Sequence, residues 1–127
     1  MGKVIGLGGL FLKSPDPDAL RAWYSRVLGL AFDDWGGLVF LPQDAANHPG
    51  AGTVFSPFAQ SSEYFAPSTK EFMFNLMVDD LESVLARCAA EGVEPVKTFP
   101  AEANGLFAHI MDPEGRKIEL WQPKPME

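Results

Sequence analysis

The chain has 127 residues and a formal net charge of −7, with its ten Lys and Arg scattered from Lys3 to Lys124, so a phosphate backbone would be repelled and nucleic-acid binding is disfavoured. Hydrophobic residues make up 46% and charged residues 21%, a globular composition able to bury a core, and the acidic balance weakly favours a cationic small molecule as partner. The lone cysteine, Cys88, rules out an intrachain disulfide and a multi-cysteine zinc site.

In chain order, "MGKVIGLGGLFLK" shows no small-residue cleavage pattern, and Gly6 stands where a myristoylation signal needs Ser or Thr. No apolar run approaches the length of a bilayer span, and a cytoplasmic protein is expected. "VIGLGGLFLK" reads as a strand. "SPDPDALRAWYSRVLG" reads as a helix with Asp16 as N-cap, Pro17 in the first turn and Gly29 in the left-handed C-terminal position. Its apolar stripe is Leu20, Trp23, Tyr24, Val27 and Leu28, so the two aromatics are expected in the core. "LAFDDWGGLVFLP" reads as a strand pair turning at Gly36-Gly37, "QDAANHPGA" as a polar loop with His48 at the surface, and "GTVFSPF" as another strand.

After a linker, "AQSSEYFAPSTK", the order repeats. "EFMFNLMV" reads as a strand, and "DDLESVLARCAAEG" as a helix capped by Asp79 or Asp80 and ended by Gly92. "VEPVKTF", "GLFAHIM" and "RKIELWQ" read as three more strands. The halves, residues 4–60 and 70–123, are thus two βαβββ modules of one α+β domain spanning 1–127. Neither can bury its sheet and helix alone, so they should pair, within the chain or across a dimer.

The stretches "FLKSPDPDALRAWYSRVLGL", "MVDDLESVLARCAAEGV" and "FAHIMDPEGRKIELWQP" resemble the vicinal oxygen chelate superfamily of glyoxalase I, extradiol dioxygenases, and fosfomycin- and bleomycin-resistance proteins. The resemblance implies a curved, mostly antiparallel eight-stranded sheet around a cavity, helices on its outer face, within a homodimer. In metal-using members the first-strand ligand positions would fall here on Gly9 and on Met73, or Phe72 if the register shifts by one. None of these can hold a hard cation, and only Glu119 matches a ligand position. The resemblance therefore implies a degenerate metal site, with no cofactor as the first expectation. The alternative is one divalent metal (Zn, Ni, Mn or Fe) on Glu119.

The hairpin "FAHIMDPEGRKIELW" can be read geometrically. A three-residue loop of Pro113, Glu114 and Gly115 sets Asp112 opposite Arg116, Ile110 opposite Ile118 and His109 opposite Glu119. Ala108, Ile110, Ile118 and Leu120 then share an apolar face that should pack on the helices. Phe107, His109, Met111, Lys117, Glu119 and Trp121 share the other, which has the makeup of a cavity wall.

His109 and Glu119 are open to three readings: a self-satisfying pair, a proton-transfer pair, or metal ligands joined by His48 or by another chain. Phe107, Met111, Trp121, Met73, Trp35 and Phe55 are candidate ligand contacts. Trp35 caps the cavity or packs locally. Phe55, Phe58, Tyr64 and Phe65 form a lid or anchor the linker. Asp112 and Glu114 are read as turn chemistry, and Asp16, Asp79 and Asp80 as caps. The functional expectation is a small-molecule binding protein that works without the usual metal. Its rival is a glyoxalase-type lyase or isomerase, or a metal-dependent dioxygenase, using Glu119 and His109.

Overall fold

The computed structural model describes residues 1–126. Helix α1 is Pro17–Leu28, a short α2 is Pro42–Ala46, and α3 is Leu81–Ala90. Strands β1 (Phe74–Met77), β2 (Lys97–Thr98), β3 (Gly105–Met111) and β4 (Lys117–Pro123) form a four-stranded mixed sheet in the order β1-β4-β3-β2. Only β1 and β4 run parallel. Among the described residues no helix is long and apolar enough to cross a membrane.

The long helices begin and end where their side chains and glycines dictate. Asp16 accepts from the Ala19 amide, and Gly29 closes α1 at φ 72° with its N–H on Ser25 and Tyr24 carbonyls. At α3 the cap is Asp80, which accepts from both the amide and the hydroxyl of Ser83, and Gly92 follows the helix at φ 78°. The two helices are therefore not equal, at 12 and 10 residues.

Both helices lie on one face of the sheet. Leu20, Tyr24 and Val27 from α1 meet Leu81 and Cys88 from α3 over Ala108, Ile110, Ile118 and Leu120. That strand face is the apolar one expected from alternation, and each Ile or Leu fully buried there contributes roughly 1.5–3 kcal/mol. Arg87 holds α3 against the end of α1, donating to the carbonyls of Ser25 and Arg26 at 3.2 Å each.

The first half departs from its sequence reading. "VIGLGGLFLK" and "GTVFSPF" run as chain with no ladder partner among the described residues, leaving Val4, Ile5, Phe11 and Phe55 about nine-tenths exposed. The strand pair expected around Gly36-Gly37 reduces to a closed loop, with the Asp33 amide on the Gly37 carbonyl at 2.8 Å. The loop "QDAANHPGA" starts inside α2, and "VEPVKTF" contributes only two residues to the sheet. Among the described residues the chain thus forms four of the eight strands expected. Alternation decides which face of a segment is apolar, but a strand needs an open partner edge, which this half does not reach.

The hairpin turn anchors α1. Asp112, 5% exposed, accepts from the Glu114 and Arg116 amides through Oδ1 and from the Tyr24 hydroxyl (2.8 Å) and Arg116 Nη1 (3.1 Å) through Oδ2. Arg116 in turn donates to Glu114 and to the Lys13 carbonyl, and Ser14 donates to Glu114. Asp112 is therefore more than a turn residue: it joins the hairpin to the first helix through Tyr24. Asp112→Ala removes the acceptor of four buried or half-buried hydrogen bonds at once, although Arg116 keeps Glu114, and should lower unfolding stability by about 3–5 kcal/mol. Tyr24→Phe should lower it by only about 1 kcal/mol. Urea unfolding measures both, and an Asp112→Ala protein as stable as wild type would remove this role.

Candidate functional site

The face of β3 and β4 turned away from the helices carries Phe107, His109, Met111, Lys117, Glu119 and Trp121, with His109 directly opposite Glu119. The three-residue loop places them there, and Gly115 adopts the positive φ (88°) that this loop requires. Parallel pairing with β1 brings Asn75 alongside Glu119 from the other side.

Three donors converge on the Glu119 carboxylate. Tyr64 Oη lies 2.6 Å and His109 Nε2 2.9 Å from Oε2, and Asn75 Nδ2 lies 2.9 Å from Oε1. Burial alone pushes the Glu119 carboxyl upward. The hydrogen bonds from His109, Tyr64 and Asn75 outweigh it and hold the group below the usual glutamate range. An ionised carboxylate only accepts, so His109 Nε2 carries the shared hydrogen. The imidazole has no exposed surface, its rim meets the rings of Phe99 and Tyr64 at centroid distances of 4.8 and 5.1 Å, and its Nδ1 has no hydrogen-bond partner among the described residues. Burial and the Glu119 charge both raise the Tyr64 phenol, so it stays protonated as a donor.

Tyr64 belongs to the stretch read as a linker, and that stretch is tied down. Lys117 Nζ donates to the carbonyls of Tyr64 (2.9 Å) and Ala66 (2.8 Å). Burial lowers the Lys117 ammonium's pKa, as does Lys97 nearby. Phe58 and Phe65 pack together at 5.2 Å, and Phe58 stacks on Tyr64 at 5.6 Å. Between this segment and the sheet lies a cavity of about 370 Å³ lined by Phe58, Tyr64, Phe99, Glu102, Asn104, Phe107 and Glu119. Gly105 holds φ 138° where a Cβ would strike the Gln122 carbonyl, so the chain turns into β3 close against β4.

Of the residues singled out from sequence, Phe58, Tyr64, Phe107 and Glu119 line this cavity and His109 sits sealed behind Glu119. Trp121 backs Phe107 with its ring nearly parallel, centroids 6.0 Å apart, and gives its indole N–H to the Asn104 carbonyl at 2.9 Å. Met111 and Met73 are half-buried and not among the lining residues, while Trp35 and Phe55 are 68% and 88% exposed. His48 lies exposed in the loop after α2. Asn75, Phe99, Glu102 and Asn104 were not picked out. Asn75 had a signal: in "EFMFNLMV" it shares a strand face with Met73, two residues earlier.

The metal expectation can be tested on donor chemistry. Among the described residues no group of three or more His, Cys, Asp or Glu is placed to hold an ion. Glu119 Oε2 accepts from Tyr64 and His109 and Oε1 from Asn75 alone, so these neighbours face it as hydrogen-bond donors. A divalent cation needs several oxygen or imidazole ligands converging, and among residues of those four types Glu119 has only the sealed His109 beside it.

The lowered Glu119 pKa carries a stability consequence. A group whose folded pKa is depressed stabilises fully above its unfolded value and loses that contribution as pH falls through the folded one. Wild type should therefore lose thermal stability from just below the ordinary glutamate value downward. Glu119→Gln should start less stable at neutral pH and show a flatter acid limb. Melting temperature against pH checks this, and parallel limbs for the two proteins would contradict it.

The model of a glyoxalase-like domain matches residues 9–121. No match is found among curated proteins. Among solved structures, TnmS3, an antibiotic binding protein from Streptomyces sp. CB03234, aligns with a TM-score of 0.37 and 30% identity over 41% of this chain and 44% of that one. The family match runs from the first extended segment through α1, the 58–66 stretch and nearly all of the sheet, ending at Trp121 behind Phe107; the chain belongs to the glyoxalase-like domain family, within the vicinal oxygen chelate superfamily that its sequence resembles.

Proposed function

We propose that this protein binds a small organic molecule in the cavity between the 58–66 segment and the Phe107–Glu119 face of the sheet, without a metal ion. One observation carries the reading: an ionised carboxylate whose donors are all supplied by the protein forms the floor of a cavity walled by aromatic rings. A volume of about 370 Å³ suits a drug-sized ligand. A large apolar surface with a few fixed polar groups is how such sites combine affinity with orientation. The rival lyase, isomerase or dioxygenase reading needs His109 and Glu119 to reach a substrate. His109 has no exposed surface, and its Nε2 is committed to Glu119, which favours binding over acid–base catalysis.

The first half belongs to the same proposal. Its exposed apolar residues, Val4, Ile5, Phe11, Val39, Phe40 and Val54, suit strands waiting for a partner, and β1 and β2 leave both sheet edges open. In this reading the modules 4–60 and 70–123 complete a curved eight-stranded sheet by pairing between two copies of the chain, in the cytoplasm. Two-fold exchange buries the same surface twice. Sedimentation equilibrium should then give twice the 13.9 kDa chain mass, and a monomer at micromolar concentration would reject the pairing.

Ligand binding is tested by thermal-shift screening of small aromatic compounds. A compound present at about a hundred times its Kd should raise the melting temperature by about 10 °C. Phe107→Ala and Phe99→Ala should abolish that rise while remaining folded. A broad screen without a single stabilising compound, or hits that ignore both substitutions, would overturn the assignment.

A further inference from the structure

We infer that the molecule bound in this cavity carries a positively charged nitrogen, an alkyl- or arylammonium received on the rings of Phe58, Tyr64, Phe99 and Phe107 and balanced by Glu102 and Glu119. The inference rests on the reading of this cavity as a ligand site and adds the chemical class of the ligand. The lining contains two carboxylates and no Lys or Arg, so an anion would meet like charge on entering. Glu119 remains ionised under its three donors, and its Oε1, which accepts only from Asn75, keeps a lone pair free for an incoming N–H or the field of a quaternary centre.

The rings form a connected wall. Tyr64 lies 5.6 Å from Phe58 and 6.4 Å from Phe99, centroid to centroid. Aromatic faces carry negative charge density and attract ammonium groups within about 6 Å, more strongly when water is excluded. This wall already does so with the protein's own cations: Lys97 Nζ stands 5.0 Å from the Phe99 centroid and Lys117 Nζ 5.6 Å from that of Tyr64. Lys117 is committed to two backbone carbonyls. Lys97 is exposed and free to move aside, which makes it a tethered competitor for the Phe99 ring. The net charge of −7 draws cations toward the protein before any contact is made.

The test uses the full chain and three probes of similar shape, benzyltrimethylammonium, its uncharged carbon isostere neopentylbenzene, and phenylacetate, with binding followed by ligand-observed NMR. The cation should bind roughly tenfold or more tightly than the isostere, with phenylacetate weakest. Glu102→Gln, an exposed change that leaves the Glu119 cluster intact, should weaken the cation by about two- to fivefold and leave the isostere unchanged. Lys97→Met should tighten the cation and not the isostere. Equal or tighter binding of the isostere or of phenylacetate overturns the inference but leaves the cavity as a ligand site. If none of the three binds while screened compounds still stabilise the protein through Phe107, the inference alone fails. If neither happens, both readings fall.

Discussion

The carboxylate of Glu119 sits where three parts of the chain meet, and the cavity side of the molecule is arranged to satisfy it. An ion of this kind taken out of water without partners costs several kcal/mol. Here β1 supplies Asn75, β3 supplies His109 and the 58–66 segment supplies Tyr64. The same strands carry a second carboxylate hub at their other end, where Asp112 takes the Tyr24 hydroxyl. Each hub ties an element distant in sequence to the β3–β4 hairpin through a tyrosine: α1 at Asp112, and the segment over the cavity at Glu119. The helix face of the sheet is held by apolar burial, whereas the opposite face is held by polar links around a hollow.

That division explains the functional reading. In a metal centre, Glu119 would present free oxygens to an ion together with donors from neighbouring strands. Here the neighbours donate to Glu119 instead, and Gly9 and Met73 have no side-chain oxygen or imidazole to add. What is left for a ligand is a set of ring faces and the field of an ionised acid. In the proposed reading such a surface recognises shape and charge, and the buried imidazole, bonded to Glu119, supports the carboxylate.

The hairpin was legible to the residue because loop length sets register, and register sets which side chains share a face. Pro113 and Gly115 define the loop, and the His109–Glu119 contact follows from it. The helix caps at Asp16 and Gly29 were legible for a similarly local reason. At the second helix two adjacent aspartates offered the same local signal, and only the fold assigns the cap to Asp80. The first-half strands were not legible as observed, since their apolar alternation is real but names no partner. Tyr64 was legible as one of four aromatics that form a lid or anchor the linker, but its bond to Glu119, 55 residues away, was not. Phe99 and Asn104 escaped for the same reason: long-range packing makes them part of the cavity.

The most direct measurement is a crystal structure from crystals soaked in millimolar nickel or zinc, with anomalous data collected at the metal edge. The account predicts no anomalous peak at Glu119, its oxygens still held by Tyr64, His109 and Asn75. A peak at ordinary coordination distance, about 2.0–2.2 Å from a Glu119 oxygen, with those hydrogen bonds broken, would contradict it.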